Sequence, residues 1–199
     1  MEEILNTALN NSYSYQDYRK TVADLLQEGK TSGAIQTEAL VNYSRLNETR
    51  MNRLDKTMII DDSIIFKLKA IQSSYIWLVI AEGWCGDAAQ LLPIFHKMSE
   101  VSDHIDLKIV FRDDNEDLMN LFLTNGNKSI PKLIILDKNS LDLIADWGPR
   151  PKGAVELVLN YKEKFGVIDD TIKSDLQMWY LHDKGLSTQK EILELLKGS

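Results

Sequence analysis

The chain has 199 residues, with 23 Lys and Arg against 30 Asp and Glu, for a formal net charge of −7. That length bounds it to one domain with extensions or two small domains. The acidic balance argues against nucleic acid or an anionic membrane surface as partner, because no excess cation is on hand to displace phosphate counterions. The one cysteine, Cys85, excludes an intramolecular disulfide and a zinc site of several thiolates.

Met1-Glu2-Glu3 lacks the basic and apolar regions of a signal peptide, so the expected location is cytoplasmic. His96, His104 and His182 are scattered without metal-ligand spacing, so no metal and no cofactor is expected. Residues 1–57 contain no proline and read as a helical N-terminal extension. From Ser14 to Glu28, Tyr15, Tyr18, Val22, Leu25 and Leu26 recur at steps of three and four, one apolar helical stripe. Gly29 to Gly33 breaks it. A second helix is predicted from Thr37 to Lys56, with Thr37 as N-cap and Leu40, Tyr43, Leu46 (or Asn47), Met51 and Leu54 on one face. Arg45, Arg50 and Arg53 fall off that face. They read first as a solvated surface, and second as a route for an arginine into a functional groove.

All four prolines lie within residues 58–166, where strand and helix signals alternate. Ile64 to Leu68 is compatible with a strand or a helix end. Tyr75 to Ala81 is a continuous apolar run, the pattern of a strand covered on both faces. It is far too short to cross a bilayer, which takes about 20 residues, so no membrane partner is expected. A helix from Ala88 to Val101 points Leu91, Leu92, Phe95 and Met98 inward. A strand over Leu107 to Phe111 and a helix over Asn115 to Leu123 follow. Strands over Leu133 to Leu136 and Leu141 to Trp147 flank a polar turn, and a helix over Gly153 to Phe165 closes the segment. Residues 167–199 form a C-terminal helical extension with helices over 169–182 and 188–197; Thr188 and Glu191 have capping-box spacing, and Trp179 and Tyr180 serve packing.

The chemistry lies in Glu82-Gly83-Trp84-Cys85-Gly86-Asp87-Ala88, between a buried strand and a helix. At a helix N-terminus the unpaired amides and the dipole favour a thiolate. Gly86 permits close approach of another backbone, and Trp84 offers a flat rim. Pro93 falls inside the following helix, and Ile130-Pro131 is a candidate cis peptide between helix and strand.

This order of strand, Trp-Cys-Gly, proline-interrupted helix, Ile-Pro, hairpin and helix resembles the thioredoxin superfamily over residues 58–166. It looks closest to a bacterial group with a Trp-Cys-Gly-Asp motif and a helical N-terminal extension. The resemblance implies an α/β thioredoxin-like fold, a central mixed sheet with helices on both faces, plus the added helices. It implies Cys85 as nucleophile, Trp84 and Gly86 at the rim, Ile130 and Pro131 as a substrate-binding loop, and Trp147-Gly148 as a third loop beside the site.

Three departures matter. The second cysteine of that family is Ala88 here, so a mixed disulfide cannot be resolved from within. The residue between Gly86 and Ala88 is Asp87, whose charge opposes a thiolate while suiting the helix terminus. The buried Asp of thioredoxins, six residues before the nucleophile, is Val79, leaving Glu82 and Asp87 as candidate proton-handling groups. The Cys-Gly-Phe-Ser string of monothiol glutaredoxins and the upstream Pro and Thr of peroxiredoxins are absent.

Two functions are expected on this basis. The first is a monothiol thiol-disulfide oxidoreductase with catalytic Cys85 and Asp87, acting on protein or low-molecular-weight thiols and disulfides, with an external resolving thiol. The alternative is a non-catalytic protein- or peptide-binding module on the same scaffold. A buried Cys85, inert toward thiols, is a third reading. The helical extensions are candidate surfaces for a homodimer.

Overall fold

A computed structural model describes residues 1–196. Its first elements are α1 (Glu2–Asn10), α2 (Tyr15–Gln27), α3 (Glu38–Thr57) and α4 (Asp62–Lys69). They lead into β1 (Tyr75–Ala81), α5 (Gly86–Ser99), β2 (Ile105–Phe111) and α6 (Glu116–Leu121). β3 (Lys132–Asp137), β4 (Leu143–Trp147), α7 (Lys152–Phe165), α8 (Asp170–Asp183) and α9 (Leu186–Leu195) complete the order.

Four strands pair in the order β2-β1-β3-β4. β1 runs parallel to β2 and antiparallel to β3, and β3 and β4 form an antiparallel hairpin with an irregularity at Ile135 and Leu136. The parallel pair needs a crossover, which α5 supplies. Trp77, Leu78, Val79 and Ile80 alternate between the two sheet faces, yet all are fully buried. Both faces are therefore covered, which is why β1 reads as an unbroken apolar run. Leu91, Leu92, Phe95 and Met98 of α5 are fully buried as well, each stabilising by roughly 1.5–3 kcal/mol relative to exposure. The architecture is α/β and thioredoxin-like with additional helices at both ends.

The chain segments that the sequence marks as extensions pack on this core. Tyr15, Tyr18 and Val22 of α2 are buried, and Tyr18 lies against Phe111 at the end of β2. Tyr13 exchanges two backbone hydrogen bonds with Ile109, at 2.8 and 2.9 Å, on the outer edge of β2. The segment 64–68 is helical, because Asp61 caps α4 by accepting from the Ser63 amide. α1 buries Leu5 and Ala8.

Two helical expectations need correction. α3 is capped by Thr37 as predicted, but its buried face is Val41, Ser44, Asn47, Met51 and Leu54, while Tyr43 and Leu46 are exposed. The face carries polar residues because they are bonded: Ser44 to Thr31, and Asn47 Nδ2 to the Gly83 carbonyl at 2.9 Å. Thr188 is not a cap either. α9 begins after Gly185, whose φ of +78° suits glycine. Thr188 is buried with no hydrogen-bond partner for its hydroxyl, and Glu191 is engaged elsewhere.

Candidate functional site

The C-terminal end of β1 turns through Glu82-Gly83-Trp84 and delivers Cys85 as N-cap of α5. The turn is held from behind by the N-terminal helices. Glu82 is fully buried; one carboxylate oxygen accepts from the Ser32 hydroxyl and the other from the Asp113 amide, at 3.0 Å. Burial raises its pKa above the usual carboxylate range, against those two hydrogen bonds. The Gly83 amide donates to Ser32 Oγ at 2.8 Å. A Cβ on Gly83 would stand 3.1 Å from the Val22 methyls, so glycine lets α2 seat directly on the turn. With both oxygens committed, Glu82 is a strut for the turn.

Cys85 is only 8% exposed. Its Sγ donates to the carbonyl of Ile130 at 3.4 Å, so the thiol rests directly against the Ile130-Pro131 loop, whose peptide bond is cis. Burial first, and the Asp87 charge second, push the thiol up to about 12. The amides of Ala88 and Asp87, and the Arg150 guanidinium, act the other way and do not prevail. The contest between helix terminus and Asp87 is thus decided by a third influence, desolvation.

Asp87 is buried at the first turn of α5. Arg150 Nη2 lies 2.6 Å from one carboxylate oxygen, and the Tyr180 hydroxyl donates to the other at 2.8 Å. Arg150 follows β4 and Tyr180 sits in α8, so three distant segments close on one carboxylate. Next to it, Gln90 Nε2 donates to Gln177 Oε1 at 2.7 Å, a second contact between α5 and α8. Arg150 and Tyr180 were not legible as site residues: a basic residue between two prolines and a tyrosine in a packing helix carry no local signal.

Trp84 is half-buried, with the Arg112 guanidinium carbon 5.0 Å from its ring centre, so its face is shared with a cation. Ile130 and Pro131 are buried beside the thiol. Trp147 stands edge-on to Phe95, and its indole N–H donates to Glu191 Oε2 at 2.8 Å. Glu191 Oε1 also accepts from the Lys152 amide at 2.9 Å. Gly148 has a φ of +126°, and a Cβ there would collide with the Pro131 carbonyl oxygen, so glycine is what lets the two loops touch. An open groove of about 590 Å³ runs along Trp147, Gly148, Pro149 and Arg150 and across to Ser129. The structure therefore brings together Cys85, Gly86, Asp87, Ile130, Pro131 and Arg150, with Trp147 and Gly148 along the groove and Trp84 turned toward Arg112. Val79 is fully buried in β1 among apolar neighbours, with no carboxylate in its place.

A thioredoxin family model matches residues 33–165, two thirds of the chain. The chain belongs to the thioredoxin family. The match begins upstream of the segment expected from the sequence motifs and so takes in α3, the helix that touches the Gly83 turn. As a thioredoxin-family member it shares its fold with a protein of unknown function, PA1234 from Pseudomonas aeruginosa. The two are 17% identical, 94% of this chain and 98% of that one are covered, and the TM-score is 0.59. An HIV epitope scaffold gives 18% identity, coverage of 94% and 99%, and a TM-score of 0.58. No curated protein matches the sequence. Among the described residues of this thioredoxin-family chain, no cluster of three or more His, Cys, Asp or Glu is placed to hold a metal ion. No helix among them is long and apolar enough to cross a membrane.

Proposed function

We propose that the protein is a monothiol thiol-disulfide oxidoreductase in which Cys85 is the nucleophile and an external small thiol resolves the product. The observation that carries this reading is the contact between Cys85 Sγ and the Ile130 carbonyl at 3.4 Å, because it sets the thiol at the loop where a thioredoxin-type substrate backbone pairs. In the exchange the Cys85 thiolate attacks one sulfur of a disulfide RS–SR. A Sγ–S bond forms, the S–S bond breaks, and RS⁻ departs and takes up the proton that Cys85 released. The external thiolate R′S⁻ then attacks the R sulfur of the mixed disulfide; the Sγ–S bond breaks, Cys85 returns as the thiolate, and the new disulfide R′S–SR is released. Asp87 orients Arg150, whose positive charge favours the thiolate once the site admits a partner. Trp84, Gly86, Trp147 and Gly148 line the approach.

The test is turnover of 2-hydroxyethyl disulfide by the folded protein with excess small thiol, alongside Cys85→Ser. Turnover that vanishes in the variant supports the proposal. Absence of both turnover and a Cys85 adduct in folded protein overturns it. A second reading, a non-catalytic binding module, is favoured by the raised thiol, which burial and then the Asp87 charge keep protonated at neutral pH. That second outcome of the same experiment would move attention to the groove along Trp147 and Arg150.

A further inference from the structure

Gly86 is half-buried beside Cys85, and the space above it is bounded by two nitrogen donors. Arg50 Nη1, from α3, and Gln177 Nε2, from α8, lie 3.6 and 3.9 Å from the point a Cβ on Gly86 would occupy. Gln177 Oε1 is taken by Gln90, which turns its NH₂ group toward this space. Arg50 is half-buried and donates only to Asn47 Oδ1, at 2.9 Å, with no carboxylate within ion-pair distance among the described residues. Burial first, and Arg53 one turn on, lower its pKa, while the Asp87 charge, itself paired with Arg150, acts the other way. The ion pairs of Arg19 with Glu48 and Asp55, on the neighbouring helix, show what a compensated arginine looks like in the same layer.

Resting on the thiol-exchange reading, we infer that Arg50 and Gln177 form a carboxylate subsite beside Cys85, and that the exchanging partner is a low-molecular-weight thiol or disulfide bearing a carboxylate a few bonds from sulfur. Size follows from access: Cys85 is 8% exposed, which favours a small thiol over a bulky one, and Arg50 and Gln177 stand at contact distance over the neighbouring Gly86. Charge follows from the donors, which present N–H groups and no acceptor to that gap. The small thiol also answers the chemistry, since Ala88 leaves resolution to a group from solution. The arginines of α3 thus divide, with Arg50 at the site and Arg45 and Arg53 exposed to solvent.

The test compares mixed-disulfide formation on Cys85, read by intact mass, with 3,3′-dithiodipropionate (anionic) and 2-hydroxyethyl disulfide (neutral). Each rate is referred to urea-unfolded protein. The wild type is expected to prefer the anionic probe by about tenfold over the unfolded reference, the scale of one charge-assisted hydrogen bond, with the preference shrinking as salt rises. Arg50→Gln and Gln177→Leu are expected to lose most of that preference, Arg50→Lys to keep part of it, and Arg45→Gln to keep all of it. A wild-type preference equal to the unfolded value, or one unchanged in Arg50→Gln and Gln177→Leu, overturns the subsite while leaving thiol exchange standing. Reaction of neither probe with the folded protein overturns thiol exchange and the subsite together. If Arg50→Gln does not fold, Gln177→Leu and the salt dependence of the wild type decide.

Discussion

Replacing Asp87 with asparagine is the sharpest probe of what holds the Cys85 thiol protonated. Asparagine keeps the shape and still offers an oxygen to the Tyr180 hydroxyl, but it removes the charge and releases Arg150 from its 2.6 Å contact. Two unit charges about 6 Å apart interact by about 2.8 kcal/mol at an effective dielectric of about 20, or about two pKa units, and that scale is taken for the Asp87 charge acting on the thiol. The thiol would fall from about 12 to about 10, since its burial is untouched. At pH 8 the thiolate fraction would rise about a hundredfold. Nucleophilicity falls by about half a log unit per unit of pKa, so the net gain in rate is about tenfold. Alkylation of Cys85 by iodoacetamide from pH 6 to 11, on native and urea-unfolded protein, reads both effects. A folded Asp87→Asn protein whose rate profile superimposes on the wild type would refute the electrostatic argument.

Four further outcomes are expected. Because the folded thiol lies near 12 and an unfolded one near 9, the folded state binds the extra proton between these values, so stability is full below pH 9 and declines as pH rises through that window. Chemical denaturation at pH 9 and 10 should show the wild type losing about 1 kcal/mol more than Cys85→Ala over that step. Glu191→Ala strands the Trp147 indole N–H and the Lys152 amide, and urea titration should show a loss of about 1–3 kcal/mol. Gly148→Ala forces a side chain onto a φ of +126° and into the Pro131 carbonyl, so a loss of several kcal/mol or failure to accumulate folded protein is expected. Ala88→Cys should confer dithiothreitol-dependent insulin reduction that the wild type lacks; a folded variant that forms the internal disulfide yet stays inactive would count against a thioredoxin-type groove.

The parts of the fold that were legible in the sequence are those written in local periodicity. β1 coincides with its predicted span because burial on both faces leaves an uninterrupted apolar run, and the cysteine's position between strand and helix follows from that boundary. The register of α3 was not legible, since its buried face includes Ser44 and Asn47, whose partners lie in the loop at Thr31 and the turn at Gly83. The site was half legible for the same reason. Cys85, Gly86 and Asp87 announce themselves in one string and Ile130-Pro131 in another. Tyr180 reaches Asp87 across 93 residues and Glu191 reaches Trp147 across 44, and such contacts leave no trace in spacing. The state of the thiol was equally out of reach, because its desolvation depends on tertiary contacts such as that with the Ile130 carbonyl, 45 residues away.

The pairing of Tyr13 with Ile109 bears on how the molecule behaves when it loosens. β2 is an outer strand of the sheet, and a bare outer strand offers its free amides and carbonyls to any passing chain. Here the middle rung is already occupied by the segment between α1 and α2. Fraying or proteolytic loss of the first fourteen residues would uncover a run of seven β residues ending in Ile109, Val110 and Phe111, and so open a route to intermolecular sheet growth while the rest of the molecule is still folded. The N-terminal arm thus shields the sheet edge, and clipping it would turn the folded chain into a seed for aggregates before the core melts.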